Sequence, residues 1–144
     1  MRMAVQTVKL SFQIRGSDFV NAGEASSNTK KALSRIGLNP SVVKRAAIAM
    51  YEAELNAMIH AGGGQADVEI FPDHVVIQIA DRGPGIPDVD LAMQAGWSTA
   101  PDIAREMGFG AGMGLPNIKK HADDMRIETI VGQGTTITIH ILFA

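Results

Sequence analysis

Three clusters of residues could do chemistry. In the stretch SVVKRAAIAMYEAELNAMIHA, Glu52, Asn56 and His60 recur at intervals of four. With 3.6 residues per helical turn, such spacing puts a carboxylate, an amide and an imidazole on one face. The same helix offers Val42, Ala46, Met50, Ala53, Ala57 and Ile59 for burial, so the polar stripe is either a solvated face or a working one. Glu54 falls about 160° round from the middle of the stripe and reads as a solvated acid. In VVIQIADRGPGI, Asp81 leaves an apolar strand into Gly83, Pro84 and Gly85. An acid there can accept from a ligand amine while the missing side chains let the ligand approach, although a tight turn after an edge strand has the same pattern. In GFGAGMGLPNIKK, Gly108, Gly110, Gly112 and Gly114 precede a helix. A dinucleotide fingerprint would need a strand before them, and WSTAPDIAREM is not one; a P-loop would need a following Lys-Ser/Thr pair, which is missing. What remains is a glycine joint or a backbone cradle, at a helix start whose free N–H groups suit a polyphosphate.

The elements that must hold these clusters follow from periodicity. Residues 5–14 put Val8, Leu10, Phe12 and Ile14 on one face of a strand closed by Gly16. A helix is expected from Ser17 or Asp18, either one a plausible cap, to Ile36. In GLNPS, Gly37 ends that helix and Pro40 opens the next, which runs to the glycines at 62–64. ADVEIF and HVVIQIAD, separated by PD, read as a hairpin. A loop-rich middle follows, then a helix from Leu115 to Asp124, a strand RIETIV, the turn GQG and a last strand TTITIHIL. Strands cluster in pairs with helices between the pairs. That order predicts an α+β two-layer sandwich, a mixed sheet with its helices on one face, in a single domain over 1–144.

Composition narrows the function. The chain has 144 residues, no cysteine and a net charge of −2. Disulfides, thiolate metal sites and thiol nucleophiles are thereby excluded. A broad basic face for nucleic acid is not expected, and Lys30, Lys31, Lys119 and Lys120 read as solvated helix positions. No segment reaches the ~18 apolar residues of a membrane span, so a cytoplasmic protein is expected.

Four motifs in order carry a resemblance: EAELNAMIHA, DRGPGI, GFGAGMGL and GQGTT, across residues 52–136. Together they resemble the ATP-binding domain shared by histidine kinases, Hsp90-type chaperones, gyrase-type topoisomerases and mismatch-repair ATPases, with its Bergerat fold. Within that superfamily the chain is most similar to the small bacterial serine/threonine kinases of partner-switching systems. WSTAPDIAREMGFG looks like the lid of the anti-sigma kinases, and GAGMGLPNIKK looks more like the switch kinase of the stress complex.

The resemblance implies ATP and Mg²⁺ as cofactors, with Asn56 on the metal and Glu52 as the general base for an acceptor hydroxyl. It implies Asp81, helped by Thr135, on the adenine amine, with room for the base at Gly83, Gly85 and Ile86. Around the phosphates it implies Thr99, Arg105, Gly108, Gly110, Ala111, Gly112, Met113, Gly114 and Leu115, Arg105 meeting the γ-phosphate. His60 is implied to support the helix. The expected partner is a small antagonist protein of STAS type, with a sigma factor or another regulator behind it, and a homodimer is implied by the anti-sigma members. Two other readings use the same fold: a detached catalytic domain of a two-component histidine kinase, and a binding switch that holds ATP without transfer.

Overall fold

The computed structural model describes residues 7–16, 19–94 and 114–144. The first strand, β1 (Val8–Arg15), is followed by a single 3₁₀ turn at Phe19–Asn21 and by helices α1 (Glu24–Arg35) and α2 (Pro40–Ala61). The hairpin β2 (Gly63–Ile70) and β3 (His74–Ala80) comes next, then a short helix α3 (Val89–Ala92). Helix α4 (Gly114–His121) and strands β4 (Asp124–Ile130) and β5 (Gly134–Leu142) complete the order.

The five strands form one sheet in the order β1-β2-β3-β5-β4. The two-layer α+β architecture is as expected, but every pairing is antiparallel where a mixed sheet was predicted. The reason lies in the end of the sheet at which each strand begins. Two helices, α1 and α2, separate β1 from β2 and return the chain to the end it left, so Arg15 pairs with Gly63. Strand β4 begins beside the far end of β5, with Asp124 opposite His140. Strand β5 then inserts between β3 and β4, opposing both.

Helix α2 is the centre of the helical layer. Asn39 caps it by accepting from the Ser41 N–H at 2.9 Å, Pro40 fills its first turn, and Gly62 ends it in the left-handed conformation at φ 71°. Val42, Ala46, Met50, Ala53 and Ala57 are buried. Beneath them lie Val68, Val75, Ile77, Ile79, Ile137, Ile139 and Ile141 from the central strands, all nearly inaccessible. Each such side chain contributes about 1.5–3 kcal/mol of transfer free energy. Cover fades toward the sheet edge: on β1, Ile14 is buried, Leu10 and Phe12 are half-buried, and Val8 is exposed. Among the described residues no helix is long and apolar enough to cross a membrane.

Two helix boundaries differ from expectation. The first helix starts at Glu24, not at Ser17 or Asp18, because Gly23 takes φ 89° and interrupts the turn. Helix α4 ends at His121, short of Asp124. The Asp123 N–H donates to the His140 carbonyl at 3.0 Å, which draws the chain into the ladder, and Asp124 pairs with His140. Arg45 of α2 fixes this end of α4, donating Nε to the His121 carbonyl at 3.0 Å and a guanidinium N–H to Asp123 at 2.7 Å. The Leu142 N–H, and after it Arg45, hold the Asp123 carboxyl below its ordinary range.

Candidate functional site

The polar stripe of α2 is neither core nor solvent. Glu52, Asn56 and His60 are all half-buried. Glu52 faces the first turn of α4: its Oε1 accepts from Asn117 Nδ2 at 3.3 Å. A Cβ built at Gly114 would lie 3.6 Å from Glu52 Oε2, so the start of α4 sits against this carboxylate. At the far end of the stripe, burial lowers the pKa of His60 and the nearby Asp81 charge opposes that shift. Net lowering keeps the imidazole neutral at neutral pH.

The second cluster is built on backbone. Asp81 follows the last residue of β3, and its N–H donates to the Thr135 carbonyl at 2.9 Å. Its Oδ1 accepts two backbone N–H groups in return, Gly83 at 2.9 Å and Thr135 at 3.1 Å. Two fixed donors on one oxygen set the plane of the carboxylate. Beyond it, the loop 82–87 docks on the turn between β4 and β5. The Gly132 N–H donates to the Pro84 carbonyl at 2.8 Å, and the Ile86 N–H donates to Thr129 Oγ1 at 2.8 Å. Thr129 Oγ1 in turn lies 2.8 Å from Thr135 Oγ1.

The glycines here serve this docking. A Cβ at Gly83 would collide with Ala61, and one at Gly85, whose φ is 78°, would lie 2.7 Å from the Ile130 carbonyl oxygen. Neither position has room for a Cβ, so packing alone is enough to require glycine there. Leu115 is buried on the inner side of α4, and Ile86 is half-buried. Thr135 is buried too. Thr99, Arg105, Gly108, Gly110, Ala111, Gly112 and Met113 lie outside the described residues.

Sequence reasoning misplaced one residue and missed two. Glu54, read as solvated, is only 3% exposed. Its Oε2 accepts the N–H groups of Gly23 and Ala25, both at 3.2 Å, and its Oε1 accepts that of Ser26 at 3.0 Å. It is the N-terminal cap of α1, supplied by a different helix, and α1 has no local side-chain cap. Asn117 was missed because its meeting with Glu52 spans 65 residues of sequence. Thr129 could have been found: it and Thr135 flank the GQG turn and are cross-strand partners in the hairpin. A cavity of about 460 Å³ between β1 and α1 includes Glu54 and Met58 in its wall, but none of Glu52, Asn56 or Asp81.

The profile of the histidine kinase-, DNA gyrase B- and HSP90-like ATPases matches residues 41–144, from the start of α2 to the last residue. The chain belongs to that ATPase family. Among its relatives, this ATPase is 32% identical over 124 residues to the serine/threonine-protein kinase RsbT of Bacillus subtilis, covering 83% of this chain and 85% of the relative. It is 38% identical over 92 residues to an anti-sigma F factor of Bacillus licheniformis, where the match spans 60% of each chain. Its fold is similar to the crystal structure of the RsbU and RsbW domains of Rv1364c from Mycobacterium tuberculosis. That match has a TM-score of 0.59 and 19% identity, over 94% of this ATPase and 32% of the larger chain.

Proposed function

We propose that this ATPase is a serine/threonine protein kinase of the partner-switching type, working as one ATP-binding domain over residues 1–144 in the cytoplasm. The observation that carries the reading is the placement of Glu52. A carboxylate on the central helix is held by Asn117 against the start of the glycine-led helix α4, one turn before Asn56 on the same half-buried stripe. The likeness to RsbT supports it independently.

The donor set fits Mg²⁺-ATP. Asn56 offers a hard amide oxygen in a half-buried position, and among the described residues no group of three His, Cys, Asp or Glu side chains could hold a metal alone. A cation bound by one protein oxygen, with phosphate oxygens and waters completing its shell, suits that arrangement. Asp81, with Oδ1 occupied by two amides, presents its other oxygen to the adenine amine beside Thr135. Gly114 and Leu115 open α4 toward the phosphates. The family resemblance assigns Thr99, Arg105, Gly108, Gly110, Ala111, Gly112 and Met113 to the phosphates as well, with Arg105 for the γ-phosphate. Bound Mg²⁺-ATP supplies the phosphoryl group and neutralises charge. Glu52 orients the acceptor hydroxyl and takes its proton, because phosphoryl transfer needs positioning more than covalent help.

The acceptor in this reading is a serine or threonine of a small STAS-type antagonist protein, with a sigma factor or another regulator as the switched partner and a homodimer as the working form. Incubating the protein with labelled ATP and candidate antagonist domains should yield acid-stable phosphoserine or phosphothreonine. An acid-labile product would replace this reading with that of a histidine-kinase catalytic domain.

A further inference from the structure

We propose that Asn117 is a positioning residue of the transfer step: its side-chain amide ties down one oxygen of Glu52 and leaves the other, Oε2, for the acceptor hydroxyl. The inference rests on the kinase reading above and adds to it the group that orients the base. A carboxylate only accepts, so the amide atom that meets Glu52 Oε1 at 3.3 Å is the NH₂ of Asn117. Among the described residues Glu52 has no other hydrogen-bond partner and no ion pair. Its Oε2 lies 3.6 Å from where a Cβ would stand on Gly114, so this oxygen faces bare backbone at the start of α4. Asparagine is the fourth of the eight residues of α4, although it forms helix less readily than alanine. Its amide does not cap α4; it reaches across to α2.

The helix that carries Asn117 is pinned at both ends by one face of α2. Arg45 lies seven residues before Glu52, two turns back on the same side and about 10 Å away along the axis. Its Nε holds the His121 carbonyl at 3.0 Å, and His121 Nδ1 donates to the Asn117 carbonyl at 2.8 Å. Backbone and side chain of Asn117 are therefore both held. The charges suit the dipole of α4 as well, with the guanidinium at its C-terminal end and the Glu52 carboxylate at its N-terminal end. This geometry gives the two oxygens of Glu52 different work. In the transfer step the acceptor oxygen bonds to the γ-phosphorus, the bond from that phosphorus to the ADP oxygen breaks with its electron pair left on ADP, and the acceptor proton goes to Oε2. Bonded to Asn117, Oε1 keeps the carboxylate from turning, and a base held in one direction spends more of its time in reach of that proton.

A double-mutant cycle with Glu52→Gln tests this on the full chain, by single-turnover transfer from saturating Mg²⁺-ATP to the antagonist domain that the wild-type protein labels. Asn117→Ala should lower the rate about thirtyfold, the size of one hydrogen bond to a charged group, with ATP affinity within about twofold of wild type. Its Tm should stay within about 3 °C, because alanine is the better helix former. Asn117→Asp keeps the shape but sets a second carboxylate against the first, and should be slower than Asn117→Ala. In the Glu52→Gln background Asn117→Ala should change the residual rate by less than about twofold, since no base is left to orient. An Asn117 that only packs α4 on α2 would cost the same factor in both backgrounds, which overturns the inference. So would Asn117→Ala at the wild-type rate, or a slower rate that more ATP restores. Wild-type transfer by Glu52→Gln, or no labelling of any antagonist domain, would overturn the reading above and this inference together.

Discussion

Glu52→Gln should leave ATP affinity within about twofold of wild type and lower phosphoryl transfer to the acceptor protein by about a thousandfold, the scale of a positioned general base. Glutamine has the same shape, and its amide oxygen can still accept from Asn117 Nδ2, so the contact at 3.3 Å that holds the side chain against α4 survives. What disappears is the negative charge and the ability to take a proton. Binding and chemistry separate cleanly in this variant because Glu52 is assigned to the acceptor side and not to the nucleotide. Single-turnover transfer with saturating ATP measures the effect. An unchanged rate would show that Glu52 only buttresses the start of α4.

Glu54→Ala, two residues along the same helix, should have the second largest effect, and on stability. The carboxylate is buried and accepts three backbone N–H groups at the start of α1. Alanine strands all three donors away from water, at a cost of about 3 kcal/mol when lost cap and unsatisfied amides are taken together. For a domain of this length that is a fall in Tm of roughly 10 °C. Glu54→Gln should lie between, since its amide oxygen can serve one side while its NH₂ faces an N–H donor on the other. Denaturant unfolding gives the comparison. A midpoint within error of wild type in Glu54→Ala would mean that α1 is held by its apolar face alone, through Ala25 and Leu33.

The contrast between Glu52 and Glu54 shows what the sequence could and could not reveal. Local signals were sufficient for α2: Pro40 and the glycines from Gly62 mark its ends and the periodicity of its small residues marks its buried side. The same holds for the β2–β3 hairpin, whose alternation continues into the ladder from Gln65↔Ala80 to Ile70↔Val75. Glu54 was misread because its environment is created by α1, whose start at Gly23 is itself set by Glu54. Neither end of that interaction is visible without the other. Parallel or antiparallel pairing depended on the order in which the strands meet in the sheet, a global property. At the site, the residue types of Glu52, Asn56 and Asp81 could be read from spacing and position. Their supports, Asn117 and the Thr129–Thr135 pair, depend on contacts across helices or across the sheet.

The central claim is that one face of α2 and the end of β3 build a single Mg²⁺-dependent nucleotide site. Titration of Asn56→Ala with ATP in the presence of Mg²⁺ tests it most directly. Wild-type protein should bind, and the variant, still folded, should lose about a hundredfold in affinity. Wild-type affinity in Asn56→Ala would contradict it.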